Sequence, residues 1–259
     1  MDLGLKGRAA LVTGASEGLG RAIAEALASE GVDLTIVARR ADVLEQTAAE
    51  IRDRTGVEVT AVAADIATAN GREEALRAGE VVDILAISTG GHPPGDFDRF
   101  TIEDWREAVE SLMLAPIELM RATLDGMVER KFGRILNVTT MGMRVPSRLH
   151  PLSNGARGGL TAFVSTIAGD YVADNVTMNN LLPGPHATDR MKVMVDHSAR
   201  EGGHSAEEEY AIRVANNPAH RFGDPDDLGA MAAFLCSDQA GYITGQNFLI
   251  DGGEGRTTF

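Results

Sequence analysis

Residues 13–20 are Thr13-Gly14-Ala15-Ser16-Glu17-Gly18-Leu19-Gly20, and no other segment of the chain indicates its architecture as directly. They follow a short apolar run that predicts a buried strand at 8–13, and they lead into helical spacing of apolar residues from Leu19 to Leu27. Glycines in such a strand-to-helix turn allow a tight bend and close approach of the backbone to a pyrophosphate. The wide glycine spacing and the position after the first strand favour a phosphate-binding loop over an ordinary glycine-rich turn.

Apolar, β-rich runs alternate with helical patterns along most of the chain. Strands that are apolar throughout and separated by helices predict a parallel sheet covered on both faces. We therefore expect one doubly wound, Rossmann-type α/β sheet of about seven strands. No linker rich in Pro, Gly or Ser divides the chain, so a single domain over residues 1–259 is expected. The predicted strands are 8–13, 32–38, 57–63, 81–87, 134–139, 176–182 and 247–250, and the predicted helices include 43–54 and 225–236.

Two segments depart from this alternation. Residues 90–95, Gly-Gly-His-Pro-Pro-Gly, form a loop by composition. Residues 189–218 are long and polar, and they contain no strand pattern. Because ligands in this architecture bind beyond the carboxyl ends of the strands, we expect 189–218 to form a substrate lid. A surface helical insertion is the alternative interpretation.

The charge balance restricts the classes of partner. The 259-residue chain has 38 Asp and Glu against 24 Lys and Arg, a formal net charge of −14. Such a surface repels phosphate backbones and anionic lipids, which argues against nucleic-acid or membrane binding as the main role. No apolar run approaches the ~18–20 residues of a membrane span, and residues 1–6 show no signal-peptide pattern. The lone Cys236 cannot form an internal disulfide, so we expect a cytoplasmic location.

The glycine stretch and several later motifs resemble the short-chain dehydrogenase/reductase family. The cofactor signature of that family is Thr-Gly-x-x-x-Gly-x-Gly, which matches residues 13–20. Further likenesses follow in the family's order at Asp65-Ile66, 83–85, Gly90, 133–138, 180–184 with Thr188, 221–228, 242–246 and 251–253. The likeness covers nearly the whole chain. Members with a similar Leu-Ser-Asn…Arg pattern are usually labelled 3-oxoacyl-acyl-carrier-protein reductases.

This resemblance implies a nicotinamide dinucleotide cofactor and assigns its contacts. The implied cofactor-binding residues are Gly14, Ser16, Gly18, Leu19 and Gly20 at the pyrophosphate, Asp65 and Ile66 at the adenine, Gly90 after the fourth strand, and Pro183, Gly184 and Thr188 at the nicotinamide carboxamide. All of them follow predicted strands, where the carboxyl ends of a parallel sheet meet.

The residue that ends the second predicted strand selects between NADH and NADPH. A carboxylate there bonds the ribose 2′-hydroxyl of NADH and repels the 2′-phosphate of NADPH. This chain has Ala38 followed by Arg39 and Arg40, and in the family a basic residue at the Arg39 position accompanies NADPH preference. NADP(H) is therefore favoured over NAD(H), although the two arginines also suit a solvated helix start. Glu17 opposes this preference, because many NADPH-dependent relatives carry Lys or Arg at its position.

The catalytic residues of the family are replaced in this chain. Where the family has Asn, Ser, Tyr and Lys, alignment of the neighbouring motifs gives Leu112, Thr140, Ser153 and Arg157. Thr140 keeps a hydroxyl that can orient a substrate, and Arg157 keeps a cation that can hold the cofactor ribose. Ser153 is a much weaker acid than a tyrosine, whose pKa is about 10. We expect Thr140, Ser153 and Arg157 at the catalytic positions, with an acceptor that needs little acid catalysis.

Histidine offers another proton donor, because its ordinary pKa of about 6.5 suits neutral pH. His92, His150 and His186 all fall in loops at the expected carboxyl edge of the sheet. Each is equally compatible with a loop or surface role. The spacing of the six histidines indicates no metal site.

Three functional hypotheses remain open. The first is an NADP(H)-dependent oxidoreductase that acts on a small organic carbonyl, imine or enone with an atypical proton donor. The second is a catalytically silent NAD(P)-binding sensor or scaffold, which the replaced catalytic residues favour. The third is a lyase or isomerase with a structural dinucleotide, which no residue supports directly.

The uncharged segment 158–169 bears on assembly. A helix with no charged residue over three turns packs against the sheet alone or against a partner subunit as well. The family resemblance implies a homodimer or a homotetramer.

Overall fold

The glycine stretch joins a central strand of the sheet to the first helix. The computed structural model describes residues 1–257, in which the strands are β1 (Ala9–Thr13), β2 (Asp33–Ala38), β3 (Val59–Ala63), β4 (Ile84–Ser88), β5 (Gly133–Val138), β6 (Val176–Pro183) and β7 (Asn247–Ile250). They form one sheet in the order β3-β2-β1-β4-β5-β6-β7, and every neighbouring pair is parallel. The predicted doubly wound sheet is confirmed.

Helices cover both faces of this sheet. Within residues 1–257 they are α1 (Gly18–Ser29), α2 (Ala41–Thr55), α3 (Ala69–Ala78), α4 (Ile102–Val109), α5 (Ala115–Glu129), α6 (Pro151–Tyr171), α7 (Asp189–Gly202), α8 (Ala206–Asn216) and α9 (Pro225–Cys236). Along β1, Val12 packs into the layer with α1, α2 and α9, whereas Leu11 packs into the layer with α3, α5 and α6. Burial of both faces explains why the strands are apolar throughout. In the part of the chain that the structure describes, no helix combines the length and apolarity needed to cross a bilayer.

The fourth strand begins later than its composition predicts. The apolar pattern indicates a strand at 81–87, but β4 spans Ile84–Ser88. The reason is that the carbonyl of Val82 accepts a hydrogen bond from the Arg130 guanidinium (2.7 Å). The same guanidinium donates to the Asp83 carboxylate (3.0 Å). A side chain therefore occupies the place that a neighbouring strand would take.

The segment 189–218 is helical, as its lack of a strand pattern predicts. It contains α7 and α8, each started by a side-chain cap: Thr188 Oγ1 accepts from Met191 N–H, and Ser205 Oγ accepts from Glu208 N–H. Such caps stabilise helix starts by satisfying an otherwise free donor. Whether the two helices act as a lid over a substrate stays a prediction.

One face of the uncharged segment 158–169, which lies within α6, packs on the sheet. Its buried residues include Leu160, Val164 and Ala168. The opposite face is exposed within a single chain and carries the small residues Ala162, Ser165, Thr166 and Gly169. A partner subunit on this face remains a prediction.

A row of asparagines crosses the sheet at β5, β6 and β7. Asn137, Asn180 and Asn247 are register partners, so their side chains lie on one face. Asn180 Nδ2 donates to Asn247 Oδ1 (2.9 Å). Asn137 Nδ2 and Asn180 Oδ1, a donor and an acceptor on adjacent strands, form no hydrogen bond with the described residues.

Arg134 lies at the amino edge of the sheet, where the parallel strands begin. It is only 1% exposed, and it donates to the carbonyls of Gly133 (2.8 Å), Asn175 (2.8 Å) and Ser237 (3.2 Å). Its guanidinium also lies 4.4 Å from the centre of the Phe132 ring. These contacts connect the start of β5 to the end of α9 and to the turn before β6.

We expect Arg134→Leu to lower the free energy of unfolding by about 2 kcal/mol or more, because each buried acceptor left without a donor costs ~1–3 kcal/mol. Urea unfolding followed by circular dichroism gives the measurement. Arg121→Leu is the matched control: that side chain is 79% exposed, and we expect a change within about 0.5 kcal/mol. Equal stability of Arg134→Leu and the unmodified chain would contradict the anchoring role.

Candidate active site

The carboxyl ends of the parallel strands meet along one edge of the sheet. Thr13 Oγ1 donates to Ser88 O (3.0 Å) and accepts from Ser88 N–H (3.1 Å), which joins the ends of β1 and β4. Thr139 N–H donates to Leu181 O (2.8 Å), which joins the ends of β5 and β6. Every residue predicted to bind the cofactor or to react follows one of the strands β1 to β6, directly or at the start of the next helix.

Two glycines make the turn after β1 tight. Gly14 has a φ of +61°, and a Cβ there would lie 2.4 Å from Ser88 O. A Cβ at Gly20 would lie 2.2 Å from Gly14 O, so α1 starts directly against the turn. Side chains are excluded at both positions, and bare backbone therefore lines the cradle.

The first turn of α1 has free donors that face this cradle. Its N-cap residue is Glu17, whose side chain forms no capping hydrogen bond, and the first turn contains no acidic residue. The N–H groups of Gly18, Leu19 and Gly20 have no partner within the helix and suit a phosphate. Ser16 is buried, and its carbonyl accepts from Thr47 Oγ1 (3.0 Å), which fixes the turn to α2. The residues present fit the pyrophosphate of a dinucleotide.

An ion pair resolves the conflict between Glu17 and the arginines after β2. Glu17 Oε2 lies 2.5 Å from Arg40 Nη2, so the two charges compensate each other. Arg39 is exposed, and no carboxylate of residues 1–257 lies within 4.0 Å of its guanidinium. Arg39 is thus left available for an anion beyond the end of β2.

The remaining predicted cofactor residues lie at the same edge. Asp65 and Ile66 follow β3, and Asp65 Oδ1 accepts from Ala67 N–H (3.0 Å). Gly90 follows β4, is exposed, and has open space where a Cβ would stand. Pro183 ends β6 and Gly184 follows it, and a Cβ at Gly184 would lie 2.6 Å from Asp251 Cβ. Thr188 lies across from the glycine turn, with its Cγ2 3.5 Å from the Cβ position of Gly18.

Thr140 and Ser153 are half-buried hydroxyls at the end of β5 and the start of α6. Thr140 Oγ1 accepts from Gly142 N–H (3.1 Å) at the start of a short 3₁₀ turn, Met141–Met143. The hydroxyl proton of Thr140 is therefore free to donate. Ser153 forms no side-chain hydrogen bond with the described residues.

Arg157 is buried and bonded to backbone. It is 6% exposed; its Nη1 donates to Val138 O (2.6 Å), and its Nη2 donates to Gly90 O (3.0 Å) and Thr89 Oγ1 (3.0 Å). Burial lowers the pKa of Arg157 to about 10, with a further decrease from the charge of Arg190. The guanidinium therefore remains protonated at neutral pH. Contact with the cofactor ribose stays a prediction.

A π-helical turn, Glu110–Leu114, lies where the family has its asparagine. Leu112 within it is 1% exposed and has no polar group to offer. Helices with a π turn are frequent at functional sites. Trp105 of α4 packs beside α6, since a Cβ at Gly155 would lie 2.8 Å from Trp105 Cζ3. The amphipathic pattern of this region did not indicate the π turn.

The three candidate histidines have different environments. His186 is 3% exposed, its Nδ1 lies 3.0 Å from Gly184 O, and its Nε2 is buried without a partner among the described residues. His92 Nε2 lies 3.1 Å from Ser111 Oγ, which donates its one proton to Glu107 O (2.8 Å). We therefore assign the Nε2 proton to His92, as the donor to Ser111. His150 is half-buried and forms no side-chain hydrogen bond within residues 1–257.

Burial and nearby positive charge lower the pKa of two of these histidines, His92 and His150. Burial lowers the pKa of His92, and Arg157 and Arg190 lower it further against the opposing effect of Glu107. Burial also lowers the pKa of His150, with additional decreases from Arg190 of α7 and Arg213 of α8.

Sequence patterns did not single out Arg190, which also reaches this edge. It lies in the first turn of α7, and its Nη2 donates to His92 O (3.2 Å) in the loop after β4. No carboxylate of residues 1–257 lies within 4.0 Å of its guanidinium. A polar helix start carries no signal of a contact with a loop almost one hundred positions earlier in the chain.

Known proteins match this chain over nearly its full length. Residues 14–254 match the family model described as Enoyl-(Acyl carrier protein) reductase. The 3-oxoacyl-[acyl-carrier-protein] reductase FabG of Vibrio cholerae serotype O1 is 31% identical over 255 residues, 97% of this chain and 98% of that protein. The NADPH-dependent reductase BacG of Bacillus subtilis is 31% identical over 254 residues, 95% of this chain and 97% of that protein.

A solved structure agrees with these sequence matches. L-sorbose reductase from Gluconobacter frateurii, in complex with NADPH and L-sorbose, has a TM-score of 0.94 and 30% identity, and the match covers 99% of this chain and 100% of that one. The expectation of an oxidoreductase is confirmed by the names of these relatives. Motifs, strand order and matches lead to one assignment: the chain belongs to the short-chain dehydrogenase/reductase family.

Proposed function

We propose that this protein is an NADP(H)-dependent oxidoreductase that reduces a small organic carbonyl, imine or enone with an atypical proton donor. The observation that carries the proposal is the backbone-lined cradle at Gly14–Gly20 beside the uncapped start of α1. The printed names of two relatives, an NADPH-dependent reductase and a reductase complexed with NADPH, support the cofactor class. When bound, the reduced cofactor supplies a hydride to the electron-poor carbon of the acceptor.

Different residues of the chain contact different parts of the cofactor in this proposal. The free N–H groups at the start of α1 hold the pyrophosphate, and unpaired Arg39 selects the 2′-phosphate by its bidentate fork. The adenine end is held by Asp65 and Ile66, the middle by Gly90, and the nicotinamide end by Pro183, Gly184 and Thr188.

Thr140 orients the acceptor in this proposal. Its Oγ1 already accepts a hydrogen bond from Gly142 N–H, so its own proton points to another acceptor, such as a substrate oxygen. Arg157 supplies a fixed positive charge under the same site, because its guanidinium is bonded to the ends of β4 and β5. Charge fixed before the reaction stabilises a developing negative charge at little reorganisation cost.

His150 is the proton donor that the geometry supports best. It precedes Ser153 by one helical turn at the start of α6, and its ring has no hydrogen-bond partner among the described residues. His92 already donates to Ser111, and His186 is buried against Gly184. Ser153 holds the position of the family's tyrosine and can pass the proton from the imidazole to a substrate oxygen.

The surrounding surfaces extend the proposal. α7 and α8 form the lid over the small-molecule substrate, because α7 begins at Thr188 beside the cofactor cradle. The exposed face of α6 with small side chains suits a homodimer or homotetramer contact.

The alternative is a catalytically silent NAD(P)-binding protein. One observation favours it: the hydrogen bonds of Arg157 all go to its own chain, so this residue is committed to structure. Measured turnover of an acceptor distinguishes the oxidoreductase from the catalytically silent protein.

The deciding experiment follows NADPH oxidation with a panel of aldehydes, ketones, cyclic imines and conjugated enones. We expect turnover of the electron-poor acceptors and little reduction of simple ketones, since loss of a general acid costs about 10²–10⁴ in rate. In the Ser153→Tyr/Arg157→Lys double variant, simple ketones should become substrates. Tight NADPH binding without turnover of any acceptor by either protein would establish the silent alternative.

Replacement of Arg39 by Asp is expected to weaken NADPH binding by about ten- to hundredfold, since hydrogen bonds to charged groups contribute ~1.5–3 kcal/mol. NADH binding should be retained or improved. Fluorescence titration with both dinucleotides gives the measurement. Arg40→Ala is the matched control, because Arg40 is paired with Glu17 and should affect the preference much less. An unchanged preference in Arg39→Asp would refute the assignment.

His150→Gln is expected to lower the reduction rate by about 10²-fold or more and to remove its dependence on pH between 5 and 8. In the unmodified protein the donor must be protonated, so kcat should fall as pH rises through a value below the ordinary histidine value of about 6.5. A pH profile of kcat for both proteins tests this. The same pH profile in His150→Gln would assign the proton donor to another group.

A further inference from the structure

The guanidinium of Arg190 lies over Gly91 in the loop after β4. A Cβ at Gly91 would lie 2.1 Å from Arg190 Nη2 and 2.4 Å from Cζ, so only glycine leaves room for the guanidinium where it stands. The hydrogen bond from Nη2 to His92 O holds it there. Arg157 bonds the carbonyl of Gly90, the preceding residue, from the buried side. Two guanidinium groups thus approach the same turn.

Neither guanidinium has a carboxylate partner in the described part of the chain. The neighbour of Arg190 in sequence, Asp189, instead pairs with Lys192 (2.7 Å). Glu107 and Asp104 act on the loop through His92, whose pKa they raise against the larger effect of burial. In a chain with a net charge of −14, unpaired positive charge at the carboxyl edge is a local exception to the overall field.

The charge of Arg190 reaches both histidines at this edge. Its positive charge contributes to the lowered pKa of His92 and of His150, after the larger effect of burial. An imidazole adds no negative charge that would compete with an anion, and the His150 ring, unlike that of His92, forms no hydrogen bond with the described residues. Arg190 is an exposed residue, although burial of its guanidinium lowers its pKa. The hydrogen bond to His92 O uses one of its N–H donors, and its other donors have no partner among the described residues.

We infer that Arg190 binds a carboxylate on the substrate, which makes the substrate a carbonyl, imine or enone acid. This inference rests on the proposed oxidoreductase function and adds the substrate class. An arginine fork accepts a carboxylate through two parallel hydrogen bonds, which fixes both the distance and the orientation of the substrate. The loop that Arg190 contacts is also bonded to the residue before His150, since Gly95 N–H donates to Leu149 O (2.8 Å), so that the carboxylate would lie on the side of the proposed proton donor.

The cofactor pyrophosphate is the other anion that this guanidinium can meet. The pyrophosphate has its own donors in the glycine cradle, where Gly18 faces Thr188. The contacts of Arg190 are instead with Gly91 and His92, in the loop after β4. The substrate therefore accounts better for the unpaired charge, and the experiment separates the two anions.

The kinetic test compares two aldehydes that differ in charge at one group: 4-carboxybenzaldehyde and methyl 4-formylbenzoate. We expect Arg190→Gln to raise KM for the acid by about ten- to hundredfold, as for other charge-assisted hydrogen bonds. KM for the ester and the Kd for NADPH should change by about twofold or less. Arg77→Gln, at an exposed arginine of α3 outside the proposed lid, is the control and should leave all three values unchanged.

Gly91→Ala provides a second variant that keeps every charge. The three atoms nearest to the added methyl group all belong to the Arg190 guanidinium, so the methyl group should displace it and raise KM for the acid selectively. Equal effects of Arg190→Gln on both aldehydes, or a weakened Kd for NADPH that explains the loss, would overturn the inference and assign Arg190 to the cofactor.

A binding experiment tests the inference even if no aldehyde is reduced. Isothermal titration of the NADP⁺-saturated protein with benzoate and with benzamide uses no turnover. We expect benzoate to bind more tightly than benzamide in the unmodified protein and in Arg77→Gln, and this preference to disappear in Arg190→Gln. Absence of a benzoate preference in the unmodified protein would overturn the carboxylate site, whereas failure of turnover alone would count against the oxidoreductase function.

Discussion

A single buried cation holds the carboxyl edge of the sheet together. Arg157 extends from α6 to the carbonyls that end β5 and follow β4, Val138 and Gly90. A lysine offers a compact charge with three donors, whereas the planar guanidinium reaches acceptors on two strands at once. Desolvation of this charge is tolerated because its donors meet carbonyl and hydroxyl oxygens. The placement of Thr140, of the loop at 90–95 and of the start of α6 depends on these bonds.

The distribution of ion pairs separates structural charges from those available to ligands. Arg40 and Lys192 are compensated by Glu17 and Asp189. Their sequence neighbours Arg39 and Arg190 are not compensated within residues 1–257. Arg39 precedes the paired Arg40, and Arg190 follows the paired Asp189. Because these nearby carboxylates already have a basic partner, they do not neutralise Arg39 or Arg190. This arrangement allows a strongly acidic protein to accept anionic groups at two points of one edge.

Local patterns were sufficient to predict the sheet and the glycine cradle, because period and turn chemistry are properties of neighbouring residues. Side-chain pairs that join distant positions were beyond this kind of reasoning. The ion pair between Glu17 and Arg40 removes the apparent conflict between the Glu17 carboxylate and the binding of a 2′-phosphate. Arg157, for which we predict a contact with the cofactor ribose, also has a structural role through its hydrogen bonds to the backbone. The position of Arg190 over Gly91 depends on the meeting of α7 with the loop after β4, which no spacing reveals.

The asparagine pair between β6 and β7 controls how the last strand docks. β7 is a four-residue edge strand, and short edges are prone to slip along their neighbours. A slip of one residue would turn Asn247 to the other face and leave the Asn180 amide without its bond inside the sheet. Ile250, at the end of β7, accepts a hydrogen bond from Gly184 N–H (2.9 Å). The correct register of β7 against β6 therefore determines whether the Pro183-Gly184 segment is correctly placed at the carboxyl edge of the sheet.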